Sequence, residues 1–560
     1  MLHQFTRKHR RDRAKFEHWD RLEDSCFERI PRARLKAAQA DLQGTIVMPW
    51  DPDYNQDRQL FNPAFQAYPI FIIYCAVEND VAIALQLAQE FILPFTVRSG
   101  GHCTAGFSAG YGVLIDVSAL NDVTIDSTTQ IATVGTGCPF SKLDGVLAAA
   151  GLHVPGGECS DVCIGGYLQG GGYGFTSVTF GMNCDNVVDM RVMLADGTIV
   201  TASDSVNSDL WWAMRGGTGG NFGVLLSVRY QLRPLGDCFG WALIWALQTD
   251  ADFANATGAM MALQSQYMLA NLPAALNIQV SLCYQPGVEG GLSTSGPQYP
   301  YLMVRGLYVG SEADGQAAIA PLVALPGCIV QWTKMDTFFA LNHDLLNVPY
   351  GMPCLPPDSP MPSEDKASRY VTSTAVPPEQ WLALLQQFVR APNWVTYFYM
   401  EFYGGAINAY PAYPAPGNAF VHRQAAYNAV MDVFWYSEAE KPAAEAFLKE
   451  WMALMQPAWN GEIYQNYPRR DEPDYAAAYW GDAQAGLYAV KCKYDPTHAF
   501  TFAQEVPALM PPGAGIGPVI LLPDWLQAAL EQPIVADAQP GPAVVARASA
   551  AHAAVAAAQR

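Results

Sequence analysis

GGECSDVCIGGYLQGGGYG (156–174) is the stretch on which the fold reading turns. After its opening Gly156-Gly157 it holds two further groups of glycine, Gly165-Gly166 and Gly170-Gly171-Gly172 with Gly174. VRSGGHCTAGFS (97–108) and DLWWAMRGGTGGNFGV (209–224) have the same character. Residues without Cβ let consecutive backbone N–H groups converge on one anion. A single Gly-Gly pair would read as a tight turn between strands. Three clusters within about 125 residues, two of them leading into helices or strands, point instead to a large phosphate-bearing cofactor. No Gly-Lys-Ser/Thr follows any of these loops, which excludes a P-loop. GGGYG does not open a βαβ unit as GxGxxG and lacks the following ribose-binding acid, which argues against a Rossmann site.

The flanking segments fit an α+β region. YPIFIIYCAV (68–77) is apolar, NDVAIALQLAQEF (79–91) repeats its apolar positions at helical spacing, and LPFTVRSGG (93–101) is strand-like. GVLIDVS (112–118) and DVTIDSTTQIATVGTG (122–137) alternate apolar and polar, which predicts half-buried antiparallel strands. VVDMRVMLADGTIVTAS (187–203) predicts a hairpin around Ala195-Asp196-Gly197. DLWWAMRGG predicts a short helix ended by glycine, and NFGVLLSVRYQL (221–232) a further strand. Residues 1–60 read as an N-terminal arm with short helices. Residues 237–460 mix strands and helices with many aromatics. Within them GMPCLPPDSPMPSEDK (351–366) and PAYPAPGNA (411–419) read as long surface loops. Residues 511–560 form a C-terminal extension whose last part, 534–560, is an Ala-rich tail.

Together these motifs resemble the FAD-binding domain of berberine bridge enzyme-like oxidases, within the vanillyl-alcohol oxidase / p-cresol methylhydroxylase superfamily. The likeness runs from about Asn62 to Leu232. It resumes with GGAI (404–407), His422-Arg423, YQNYP (464–468) and YWGDAQAGLYAVKCKYDPTHAF (479–500), and it is weak between 240 and 400. The resemblance implies an α+β fold with a PCMH-type FAD-binding domain at 61–236. A berberine-type segment at 461–510 would return to that domain. A substrate domain at 237–460 would carry an antiparallel sheet covered by helices.

The resemblance also assigns roles. His102 matches the histidine bonded to the flavin 8α-methyl group, and Cys159 the cysteine bonded to flavin C6 where attachment is double. Ser160-Asp161 stand where the family has Pro-Thr. Val162 matches a position beside the flavin face where a small residue admits dioxygen. Arg98, Ser99, Gly100, Gly101, Ser108, Gly165, Gly166, Gly170, Gly171, Tyr173, Gly174, Asn186, Val200 and Asn466 complete the implied cofactor contacts. Tyr464 matches the tyrosine of Tyr-x-Asn that faces the substrate as its base. A phenol near its ordinary pKa of about 10 needs a nearby cation or donor for that work. Plant relatives offer a glutamate after the His-Arg pair. Asn428 stands there and cannot take a proton, so Glu401 and Asp432 are secondary candidates. The implied reaction is hydride transfer from an alcohol-type carbon of a bulky substrate, an oligosaccharide or a large aromatic or polyketide-like compound, with O2 reduced to H2O2. The rivals are an oxidative cyclase or dehydrogenase on the same scaffold, and a flavin-binding module without turnover.

Composition bounds the rest. With 32 Lys+Arg against 52 Asp+Glu the net charge is −20, which disfavours nucleic acid as a partner. The start has the charges of a signal peptide but no apolar stretch behind them, and the apolar runs fall short of about 20 residues. The expectation is a soluble, cytoplasmic protein without membrane contact. Twelve cysteines with no CxxC pair suit neither a disulfide scaffold nor a zinc site, and no metal is expected. No Gly-x-Ser-x-Gly elbow appears.

Overall fold

A computed structural model describes residues 30–286, 296–346, 361–507 and 522–537. The first lobe holds two sheets. One runs β1 (Thr45–Val47), β2 (Phe71–Tyr74), β4 (Val113–Asp116), β3 (Phe95–Arg98). The helix Glu78–Glu90 makes the crossover between β2 and β3 and buries Val81, Ala84, Leu85 and Ala88 at helical spacing. Asp80 accepts from the backbone N–H groups of Gln43, Gly44 and Ala76, tying that helix to the preceding loops.

GVLIDVS requires a correction. Its strand β4 is parallel to both β2 and β3, and all four of its residues are buried. A strand covered on both faces carries a continuous Val-Leu-Ile run, and neighbouring polar residues make that run mimic alternation. The N-terminal segment also does more than the arm reading implies, because 32–47 supplies the helix Arg32–Asp41 and the sheet strand β1.

The second sheet is antiparallel, in the order β5 (Val123–Asp126), β6 (Ile131–Gly135), β10 (Val224–Gln231), β8 (Val187–Met193), β9 (Ile199–Ser203). β8 and β9 are the expected hairpin. A two-stranded ribbon, β7 (Leu152–His153) with β11 (Arg233–Pro234), lies beside it. The edge strand β9 is covered by the chain's return: Ala536 bridges Val200, the N–H of Asp537 donates to the Ile199 carbonyl at 2.8 Å, and Asp537 pairs with Arg191 at 2.7 Å. Just upstream, the helix Asp524–Glu531 packs on helices Ser208–Ala213 and Gln484–Tyr494. The rest of the expected Ala-rich tail, 538–560, lies outside the described residues.

The second lobe is one seven-stranded antiparallel sheet. Its order is β15 (Ile329–Asp336), β12 (Cys238–Ala246), β14 (Gln298–Tyr308), β13 (Leu276–Pro286), β17 (Tyr397–Phe402), β18 (Tyr427–Trp435), β16 (Ser363–Val371). Successive side chains point to opposite faces of a strand. On β18, Tyr427, Ala429, Met431, Val433 and Trp435 therefore enter the hydrophobic core, which the helices Asp250–Gln266, Pro378–Phe388 and Lys441–Met455 share. The alternate set, Asn428, Asp432 and Phe434, faces the first lobe. The loop expected at 351–366 is corrected at its end, since Ser363–Lys366 begin β16. No helix among the described residues is long and apolar enough to cross a membrane.

Candidate functional site

A cleft of about 390 Å³ separates the glycine loops from the polar face of the seven-stranded sheet. On the loop side it is lined by Ser99, Gly100, Gly101, His102 and Ser108, by Cys159 and Val162, by Gly165 and Gly166, and by Gly219 and Gly220. His102 stacks on Phe61 at 4.6 Å, which fixes its ring plane. Gly100 is a close approach, since a Cβ there would come to 3.0 Å from the backbone nitrogen of Cys163. Burial, with Glu158 adding to it, pushes the Cys159 thiol up to about 12, so the sulfur is protonated at neutral pH.

Strand register assembles the opposite wall. Gln279 on β13 pairs with Arg305 on β14 and with Glu401 on β17, and Glu401 pairs in turn with Asn428 on β18. Four residues along the strands, on the same face, Tyr397, Asp432 and Lys366 form a second cross-strand row. Glu158, beside Cys159, is held by Gln279 and by Arg305 at 3.4 Å. Lys366 pairs with Asp432 at 3.0 Å and with Glu364 at 3.6 Å, and its ammonium sits 4.6 Å over the Tyr467 ring. Burial pushes Glu364 up to about 7, Asp432 adding to the effect and Lys366 opposing it.

Tyr464 closes the cleft. Its hydroxyl oxygen accepts from the N–H of Gly172 at 2.8 Å, the N–H of Tyr173 at 3.2 Å and the Asn466 amide at 3.0 Å. Three donors converging on one oxygen suit a phenolate, but burial and the nearby Glu401 act against it and leave the phenol pKa raised. Glu401 does not line the cleft. It lies behind Tyr467, accepting its hydroxyl at 2.6 Å and the Asn428 amide at 2.9 Å, and burial pushes its carboxyl up to about 8. Asp432 does line the cleft.

The remaining expected contacts divide. Tyr173 and Asn466 line the cleft. Arg98 stands away from it, spent on a fully buried ion pair with Asp116 at 2.6 Å. Gly170, Gly171 and Gly174 serve close packing: added Cβ atoms would strike Asn466, Phe420 and the Gly156 carbonyl. Asn186 caps its own loop by donating to the carbonyls of Phe180 and Met182, and Val200 faces the core beneath β9. Among the described residues no three His, Cys, Asp or Glu are placed to hold a metal ion.

Comparison with known proteins bears directly on this cleft. Residues 69–203 match the family model of the FAD binding domain, and 463–507 that of berberine and berberine-like proteins. The two matched segments bring His102, Cys159 and Tyr464 to one site. The chain is an FAD-linked oxidoreductase that carries an FAD binding domain and a berberine-like segment. It is 28% identical over 476 residues to an FAD-linked oxidoreductase of Bacillus subtilis, YvdP, covering 83% of this chain and 98% of that one. It is 26% identical over 502 residues to xylooligosaccharide oxidase of Thermothelomyces thermophilus, covering 84% and 93%. In fold it is similar to Physcomitrella patens BBE-like 1, with TM-score 0.72 at 23% identity, covering 85% and 99%.

The residues present fit FAD. Small residues line the loop side of the cleft, Gly166 has open space where a Cβ would stand, and a histidine and a cysteine face the same volume. Sequence reasoning missed Glu158, Gln279, Arg305, Glu364, Lys366, Tyr397 and Tyr399. One signal was available in LNIQVSLCYQP (276–286), whose Asn277, Gln279 and Ser281 recur at period two, as on a strand with one polar face.

Proposed function

We propose that the protein is an oxidase of oligosaccharide alcohols whose FAD is tethered through His102 and Cys159. The observation that carries this reading is the shared cleft, with both tether candidates on one wall and Tyr464, Asp432 and a row of aromatic rings on the other. Bound FAD would accept the hydride released from the alcohol carbon and return the electrons to O2 as H2O2. The chain's own residues bind, orient and move the proton. The rings of Tyr399, Tyr397 and Phe434 lie nearly parallel in sequence along the sheet, at 5.2 Å and 19°, then 6.2 Å and 12°. Such a row stacks on the C–H faces of sugar rings. Tyr464, as the phenolate its three N–H partners stabilise, takes the hydroxyl proton and becomes the phenol as the hydride leaves. Xylooligosaccharide oxidase is among the relatives, which supports a sugar substrate. A large aromatic alcohol could use the same rings for stacking but would leave the wall carboxylates unmatched.

Acid denaturation tests the tether. Colour retained by the polypeptide is expected, with flavin mass on the peptides of His102 and Cys159. A yellow supernatant over a colourless pellet would overturn it. Equimolar peroxide and aldonate from an oligosaccharide panel tests the reaction.

A further inference from the structure

We infer that Asp432, Glu364 and Lys366 form a charge-selective subsite that reads proton-donor groups of the substrate and rejects anionic ones. The inference rests on the oligosaccharide reading above and names the chemistry its cleft would select.

Asp432 and Glu364 are 1% and 4% exposed, yet both line the cleft. Oδ1 of Asp432 and Oε1 of Glu364 accept no well-formed hydrogen bond among the described residues: the Lys366 ammonium faces Oε1 only at 3.6 Å, and the Tyr397 hydroxyl is the neutral donor beside Asp432. Buried carboxylates so sparsely supplied with donors are costly, and a ligand hydroxyl or ammonium placed there would complete their hydrogen bonding. Among the described residues Lys366 is the one cation paired with both acids, at 3.0 Å and 3.6 Å. The other lining cation, Arg305, is already turned to Glu158 and Gln279. Lining acids therefore outnumber lining bases, Glu158, Glu364 and Asp432 against Arg305 and Lys366. This acid-rich edge sits beside the aromatic row, since Tyr397 is the direct cross-strand neighbour of Asp432. A sugar ring stacked on Tyr397 and Tyr399 would present its edge hydroxyls to these oxygens. A carboxylate at that edge would meet like charge in a water-poor wall, where repulsion is strong.

The test uses the flavin-loaded protein and three trimers on one β-1,4-gluco backbone: cellotriose, its glucosamine counterpart and its C6-oxidised glucuronic counterpart. Equilibrium binding is followed by perturbation of the flavin spectrum, and KM and kcat are measured separately. The glucuronic trimer should bind at least about tenfold more weakly than cellotriose. Asp432→Asn and Glu364→Gln should each narrow that gap, with thermal melts confirming that the variants fold. The glucosamine arm separates the two donor types: tighter binding than cellotriose assigns ammonium recognition, and equal binding assigns hydroxyl recognition. Equal binding of the glucuronic trimer by the unaltered protein, or a gap unchanged in both variants, would overturn the subsite alone. If none of the three perturbs the flavin, the oligosaccharide reading fails and the subsite fails with it.

Discussion

Asn342 donates its side-chain amide to the carbonyl oxygen of Gly157 at 3.0 Å, reaching from the second lobe to the loop that carries Cys159. Glu158, the next residue, is gripped from the same lobe by Gln279 and Arg305. The backbone leading to Cys159 is thus held at two consecutive residues by side chains of the second lobe. Asn342→Ala is expected to lower the fraction of chains carrying the second flavin tether while the His102 tether persists. The stability cost should be about 1–3 kcal/mol, because a buried carbonyl loses its donor. Peptide masses after denaturation give the two tethers separately.

Tyr464→Phe removes the oxygen that accepts three N–H groups. A fall in kcat of about 10²–10⁴-fold is expected if the Tyr464 phenolate is the base, with KM within about threefold. Because burial raises the Tyr464 pKa, kcat/KM of the unaltered protein should climb with pH through neutrality. The slope should vanish in the variant, and an unchanged slope would assign proton transfer elsewhere.

Glu401 makes stability depend on pH. Burial pushes its carboxyl up from 4.5 to about 8, so the folded chain holds a proton that the unfolded chain has released. Its contribution is fully present below about pH 4.5 and is lost as pH rises toward 8. Glu401→Gln keeps a partner for Tyr467 and Asn428 without that titration. The variant should gain relative to the parent on the order of 2–4 kcal/mol by pH 9, and denaturant melts at pH 5, 7 and 9 read the trend.

Val162 lines the cleft three residues beyond Cys159. Val162→Leu is expected to slow flavin reoxidation by dioxygen, measured by stopped flow, far more than reduction by substrate. Equal slowing of both half-reactions would point to general crowding instead.

Ending the chain at residue 533 would keep the helix Asp524–Glu531 and remove the pairing of Ala536 with Val200 and the Asp537–Arg191 ion pair. The expected loss is about 2 kcal/mol of stability, accompanied by faster aggregation on light scattering, because an uncovered edge strand templates further pairing. Lost stability without aggregation would show that β9 is protected by other means.

Local signals made the first lobe legible. Glycine loops, the helix after β2 and the hairpin 187–203 are written within a few residues of themselves, and the motifs flanking His102, Cys159 and Tyr464 lead to one cleft. The substrate wall was not legible, because it is made by register between distant strands. Gln279 meets Glu401, and Lys366 meets Asp432, only through β pairing that no local window contains. Glu364 and Lys366 were hidden further by their charge. Ser-Glu-Asp-Lys after a proline-rich run reads as a solvated loop, and only burial against the cleft makes it a strand. The parallel setting of β4 was likewise a tertiary fact, decided by which strands flank it.

The two-sided seven-stranded sheet has an evolutionary consequence. On β18 the residues that face the cleft alternate with those that hold the core, Asp432 between Met431 and Val433 and Phe434 between Val433 and Trp435. A single deletion there would exchange the two sets and destroy both. Substitution at every second position can redraw the recognised chemistry while the intervening residues keep the fold. Such a wall can diversify among relatives through point changes alone, and its length is the property least free to drift.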